Sequence, residues 1–342
     1  MIPITNASKI NPVAKKAYIG ESILSAVLWG ITNFIFSLLD DTDFATSCLS
    51  FPGFITVCMG YKFLQMREKG QITKKLINDQ FFRAYYNDTG DKLNMINIFH
   101  MIIRSVMFFA LTLLAILAAG YALKAQINFG IITSCICISI ALNAIFSYIF
   151  YQELLTKVQI LGISVIIVSI VGISIAKGSK NQEQQQENGY DDDEKLYFKI
   201  AAISLALIQG ICNCFRAIQA KYLFRKTAYQ PVDLSVDSGL FLGISLMICS
   251  IYYWIEGCDS YTWYNFFINI IGSHLMMIFS IISLKCIVKG LAGTTSAIIY
   301  SFPVYTSILQ AIFLKQIPSL YQILASFLSL IGVGIILLGS KK

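Results

Sequence analysis

Charge is what this chain has least of. Asp, Glu, Lys and Arg together make up 13% of its 342 residues, and histidine occurs only twice. Soluble domains carry about a quarter charged residues, so the composition excludes an ordinary one. Two histidines far apart, without clustered acids, leave no set of ligands for a metal centre. No buried carboxylate pair or nucleophile–base motif marks an integral-membrane enzyme, and neither enzymatic activity nor a cofactor is expected. Proline is scarce as well, at six residues, so apolar stretches run on with few breakers. Residues 1–17 are short and polar, with no short apolar core before a small-residue cleavage site, so no removable signal peptide is expected.

What fills the chain instead is apolar: 56% of residues are hydrophobic. That leaves room for about ten spans of roughly 20 residues. They fall at 18–39, 44–64, 96–119, 129–151, 158–176, 196–223, 234–255, 264–287, 291–314 and 320–338. The expected fold is an all-α integral membrane protein in contact with the lipid bilayer. Residues 1–17 form an N-terminal tail and 18–176 a first five-helix half with a polar loop at 65–94. Residues 177–195 are a low-complexity acidic linker that cannot bury a core and reads as a disordered tether. A second half covers 196–339, and 340–342 are a short tail.

The net charge of +7 calls for no nucleic-acid partner, because the basic residues cluster at span ends as orientation signals do. With both termini cytoplasmic, 18 of the 26 Lys and Arg fall inside and 6 outside, Arg104 and Arg216 lying within spans. The sequons at Asn6 and Asn87 then face the cytoplasm, where no glycosylation is expected. Of the nine cysteines, seven sit in apolar runs and read as small hydrophobes; no metal site and no Cys48–Cys258 disulfide is expected.

The chain says the same thing twice. Phe150, Gln159, Ile160 and Leu161 match Phe313, Gln322, Ile323 and Leu324 at one constant offset, and Thr133-Ser134 matches Thr295-Ser296. Gly30, Ile31 and Asn33 recur as Gly210, Ile211 and Asn213. Five spans per half put the second half into the membrane upside down, giving two inverted five-helix repeats.

With these repeats, the chain resembles the drug/metabolite transporter superfamily, its EamA-like branch and the solute carrier 35 group. The residues that carry the resemblance are Trp29-Gly30-Ile31-Thr32-Asn33-Phe34, then Arg104 followed by Tyr121-Ala122-Leu123, then Glu153-Leu154 followed by Gln159 and Gly162. In the second half Thr295-Ser296-Ala297, Pro303 and Gln322 hold the matching places. Gln152 stands where that family has glycine, and Gln316 where it has glutamate. The resemblance implies a central cavity between the halves and transport of a small organic solute by alternating access.

Polar groups in hydrocarbon need a cavity, a partner or a route to the interface. Arg104 and Arg216 are read either as anchors for an anionic solute or as snorkelling and helix-pairing residues. Asn33 and Asn213 sit at corresponding depths, for substrate or for interhelical bonds. Asn143, Tyr300 and Tyr305 are further candidates to line a cavity. His274 is a proton relay or a satisfied structural histidine, and Pro303 a gate hinge or a tolerated kink. Gly239 and Gly243 form a small-residue packing face. With two deep arginines and no carboxylate deep in any span, an anionic or zwitterionic solute moved by exchange or facilitated diffusion is expected, such as a nucleotide-sugar or a phosphorylated or carboxylated metabolite. The rival is a non-transporting scaffold subunit of a membrane complex; a second copy of the chain is a further partner left open.

Overall fold

The computed structural model of the chain describes residues 12–68, 85, 93–151, 156–175, 191–226, 229–289 and 298–339. The sequons, Gln152–Leu154, Thr295-Ser296, the tail 340–342 and most of the loop 65–94 and the linker lie outside the described residues. Among the described residues there is no β-strand. The helices are α1 (Pro12–Phe36), α2 (Phe44–Cys48), α3 (Phe51–Glu68), α4 (Met95–Lys124), α5 (Phe129–Thr133), α6 (Ile138–Tyr151), α7 (Lys157–Ile175), α8 (Asp192–Lys226), α9 (Pro231–Ile255), α10 (Trp263–Lys289), α11 (Phe302–Phe313) and α12 (Leu320–Gly339).

Five stretches are long and apolar enough to cross a membrane: Phe44–Glu68, Met95–Lys124, Asp193–Ala220, Val232–Ile255 and Trp263–Ile287. The apolar parts of α1, α5–α6, α7, α11 and α12 are shorter. The distribution of polarity is that of a protein in lipid. Val106, Ile248 and Ile255 are 62%, 63% and 79% exposed, while Ser22, Thr112, Asn265 and Asn269 are buried. In water that arrangement would cost stability; in hydrocarbon it places apolar groups outside and satisfies polar ones within.

Local chemistry sets the helix ends. Asp191 and Glu194 make a reciprocal capping box, Asp191 accepting from the Glu194 amide at 2.7 Å and Glu194 accepting from the Asp191 amide at 3.3 Å. So α8 begins at Asp192, inside the stretch read as tether. Asn94 caps α4 through the Asn97 amide, and Asn128 caps α5 through the Gly130 amide. Gly257, with φ of 71°, turns the chain after α9.

Among the described residues three spans expected as unbroken helices are interrupted, the ninth by a turn at residues 300–301. The second breaks at Leu49–Ser50, between α2 and α3. The fourth passes through a 3-10 turn, Ser134–Cys137, between α5 and α6. There Thr133 and Ser134 both turn their hydroxyls back on the Gly130 carbonyl, at 2.8 and 3.3 Å. Side-chain bonds of this kind compete with the helical ladder and tighten or bend it.

Helices pack mainly across the two halves of the chain. α1 lies against α10 and α11; α3 against α9 and α10; α4 against α8 and α9; α5 against α11, and α6 against α8. α7 pairs with α12, Ser169 donating to the Ala325 carbonyl at 2.7 Å. Glycines set the close approaches: a Cβ on Gly30 would stand 2.6 Å from Tyr305 Cβ, and one on Gly210 2.6 Å from Ile138. Gly239 and Gly243 lie against Cys58, Met277, Phe54 and Ile55. All nine cysteines are free.

Candidate functional site

Where α1, α4, α8, α10 and α11 meet, an aromatic stack stands beside a guanidinium. The Trp29 indole is sandwiched between Phe302, 3.9 Å centroid to centroid, and Phe279, 5.1 Å, with Tyr300 edge-on at 5.5 Å. Ser280, next along α10 from Phe279, accepts a hydrogen bond from Arg216 Nη2 at 3.2 Å. The Arg216 guanidinium lies over the Phe108 ring, 4.3 Å from its centroid, a cation–π contact. Its Nε is buried with no hydrogen-bond partner.

Arg216 is one of three such groups on a single helix face. Gln209, Asn213 and Arg216 are spaced four and three residues apart, so they share one side of α8. Gln209 Oε1, Asn213 Nδ2 and Arg216 Nε are each buried and unpartnered. Gln209 is otherwise tied to α4, donating to the Leu111 carbonyl at 3.3 Å. Asn33, one turn beyond Trp29 on α1, is 2% exposed and its Nδ2 also lacks a partner. Buried polar atoms are paired as a rule, so this set offers donors and one acceptor to something that enters the seam.

The two arginines differ. Arg104 is 1% exposed and spends its fork on protein: Nε and Nη2 donate to Ser235 Oγ at 3.2 and 3.0 Å, and Nη1 donates to the Arg216 carbonyl at 3.2 Å. It ties α4 to α8 and α9. Neither arginine forms an ion pair among the described residues.

The other candidates are placed as follows. Tyr300 shares a 2.7 Å hydrogen bond with Ser139, joining the turn before α11 to α6. Tyr305 packs against Gly30 on α1, and Asn143 is half-buried on α6. Both ring nitrogens of His274 are engaged, Nδ1 with the Ile270 carbonyl at 2.7 Å and Nε2 with Thr56 at 2.6 Å. Pro303 is the second residue of α11, where its missing N–H removes no helical bond; the interruption of the ninth span lies at residues 300–301, before it.

Polar contacts close one end of the seam. At the far end from the start of α1, Gln310 is fully buried. It accepts from the Phe129 and Gly130 amides at the start of α5 and donates to Ser37 at 2.9 Å. Asn128 adds bonds to the Ser307 and Gln316 carbonyls. Asn265 and Ser260 bind the loop at Asp40–Asp43. Burial alone would raise the Asp43 carboxyl, but the Thr46 amide and the Ser260 hydroxyl outweigh it and hold it below the usual carboxylate range. Gln310→Ala should leave the Phe129 amide without its partner and take one of two bonds each from the Gly130 amide and the Ser37 hydroxyl. A cost of about 1–3 kcal/mol is expected, read as a lower melting temperature of the purified protein; an unchanged melt would contradict it.

Sequence reasoning missed Gln209, whose signal was its spacing from Asn213 and Arg216. It also missed a buried ion pair, Lys62 with Asp237, on α3 and α9. A cavity of about 340 Å³ opens between α5, α11 and α12, lined by Ile131, Pro303, Ile308, Phe327 and Leu330. It is apolar and touches neither arginine.

No family model matches the chain, and no curated protein matches it. A solved structure described only as the crystal structure of a protein is similar to it, with a TM-score of 0.52 and 14% identity. The match covers 94% of this chain and 96% of that one. At such identity the likeness concerns the fold alone, and it extends over nearly the whole chain.

Proposed function

We propose that this protein is a membrane transporter of a small organic solute, anionic or zwitterionic, working by alternating access between two inverted five-helix halves. The observation that carries the reading is the Gln209–Asn213–Arg216 face with its unpartnered atoms, set beside the Trp29 stack where the halves meet. A guanidinium and two amide donors suit a phosphate or carboxylate, and the aromatic faces suit an apolar or planar body next to it.

The helix pairings support the two-half architecture. If α1, α3, α4, α5–α6 and α7 are exchanged for α8, α9, α10, α11 and α12, the α1–α10 contact becomes α8–α4. In the same way α3–α10 becomes α9–α4, and α1–α11 becomes α8 with α5–α6. The pairs α3–α9, α5–α11 and α7–α12 map onto themselves. A seam between symmetry-related halves is where such transporters bind substrate. The interruptions of the fourth and ninth spans fall at matching places and meet each other, Cys137 Sγ lying 3.7 Å from the Tyr300 carbonyl. Broken helices there can re-pair as one half rocks on the other. The solute exchanges sides when polar contacts at one end part and those at the other hold.

The second reading, a scaffold subunit, draws on the packed state of the seam, since the 340 Å³ cavity lies elsewhere. Thermal shift of the purified protein separates the two. Nucleotide-sugars, phosphorylated sugars, carboxylates, amines and amino acids are tested in turn. A ligand at about one hundred times its Kd should stabilise by about 2.7 kcal/mol, and one anionic or zwitterionic class is expected to do so. Stabilisation by organic cations alone would overturn the proposed solute class. Silence across the panel, joined to co-purification with a larger assembly, would favour the scaffold.

A further inference from the structure

We propose that the Lys62–Asp237 ion pair, held by Tyr229, is the latch that closes the seam at the end where α1 begins. This rests on the transport reading above and adds residues that reading does not use. Lys62 on α3 and Asp237 on α9 meet with both side chains 4% exposed. The two helices come from opposite halves and exchange with one another under the pairing symmetry, so a bond between them joins half to half. Tyr229, buried in the connection before α9, donates its hydroxyl to the second Asp237 oxygen. The Tyr85 ring stands edge-on to Tyr229 at 6.5 Å, and its hydroxyl reaches Met101 of α4 at 3.2 Å. One carboxylate thus gathers α3, α9 and the segment between α8 and α9, with α4 tied in through Tyr85.

The chemistry suits a latch rather than a plain packing contact. Two charges in a low-dielectric interior hold each other strongly while paired, and neither can be left alone there. They part only if water reaches both, so separation and hydration of this end occur together. A second ion pair at this end among the described residues, Lys285 with Glu21, is 41% and 34% exposed and is weakened by solvent. The far end is closed by amides and hydroxyls around Gln310, with the Asp41 and Asp43 carboxylates accepting from Asn265 and Ser260, and no ion pair is seen there among the described residues. The two seals therefore differ in chemistry.

Cys58 reports the state of the latch. It lies about one turn from Lys62 along α3 towards the middle of the bundle, fully buried against the Gly239 backbone. Cys48, also fully buried, sits at the opposite end, and Cys258 is half-exposed. The full-length protein in lipid nanodiscs is treated with N-ethylmaleimide, and labelling at each cysteine is followed by peptide mass spectrometry. Wild type should label at Cys258 but hardly at Cys58 or Cys48. Asp237→Asn or Lys62→Met should raise the Cys58 rate about tenfold or more, leaving Cys48 protected. The reversed pair, Lys62→Asp with Asp237→Lys, should bring Cys58 back towards wild type. Tyr229→Phe removes one hydroxyl only and should give a smaller rise in a protein that still folds.

Cys58 as slow in the single variants and in Tyr229→Phe as in wild type would overturn the latch. So would Cys48 rising in step with Cys58, since that is general loosening around a structural ion pair. A wild-type chain that neither binds nor moves any solute, with single variants that open Cys58 and keep Cys48 closed, would remove the transport reading and keep the latch.

Discussion

Alanine at position 216 should cut ligand-induced stabilisation to about a third while leaving the protein folded, and methionine at position 104 should destabilise the fold while leaving the ligand shift in place. Arg216 gives the protein one side-chain hydrogen bond, to Ser280, and one ring contact, to Phe108. A solute anion taking the buried Nε would lose a charge-assisted bond in the variant. That is worth about 2 kcal/mol, or roughly thirtyfold in Kd. Arg104 instead makes three hydrogen bonds to α8 and α9 from a side chain 1% exposed. Its removal unpairs the Ser235 hydroxyl, takes a second bond from the Arg216 carbonyl and opens a void. A loss of about 3 kcal/mol is expected, and lysine should not restore it, having no planar fork to span two helices. Melting curves with and without the best ligand read both effects. An Arg216→Ala protein that keeps its full ligand shift would take that arginine out of the site. An Arg104→Met protein melting with wild type would remove its structural role.

The second large effect is expected at Gly53. A Cβ there would overlap the backbone of Ser273 and His274 on α10, which cannot swing aside as a side chain can. α3 and α10 would have to separate. The 2.9 Å Ser50–Asn269 bond and the 2.6 Å Thr56–His274 bond flank this contact and would be stretched. Gly53→Ala should destabilise by about 3 kcal/mol. Gly60 lies two turns further along α3 with nothing near its Cβ direction, so Gly60→Ala should be neutral or stabilise by up to about 1 kcal/mol. Thermal unfolding of the two variants side by side is the test, and equal melting temperatures would refute the close-packing account.

What could be read from the sequence followed from short-range regularity. Runs of apolar residues ended at loops, so helices stand within the stretches read as spans, and among the described residues five of them are long and apolar enough to cross a membrane. Gly239 and Gly243 announced a packing face by their spacing, and α3 packs on it. The break in the fourth span was hidden because no proline or glycine marks residues 134–137; hydroxyls bent back on Gly130 do the work there. Lys62 and Asp237 lie 175 residues apart, with four spans between them, and looked like ordinary span-end charges. Only the packing of α3 on α9 brings them together and buries both. The arginines looked alike in sequence, equal in depth and setting. What distinguishes them is the number of neighbouring acceptors, which depends on which side of each helix turns inward.

The pairing of α7 with α12 has a consequence for how the chain is made. α7 ends at Ile175 and its partner begins at Leu320, so 145 residues separate the completion of one from the start of the other. At about 5–20 residues per second of synthesis, α7 waits roughly 7–30 seconds for its counterpart. During that interval the Ser169 hydroxyl lacks the Ala325 carbonyl, and the surface that Gly332 will cover at Ile166 stays open. The first half is thus released from the ribosome with its outermost helix unaccompanied. A nascent chain stalled before residue 320 should present that helix to any neighbour in the bilayer, a second nascent copy included.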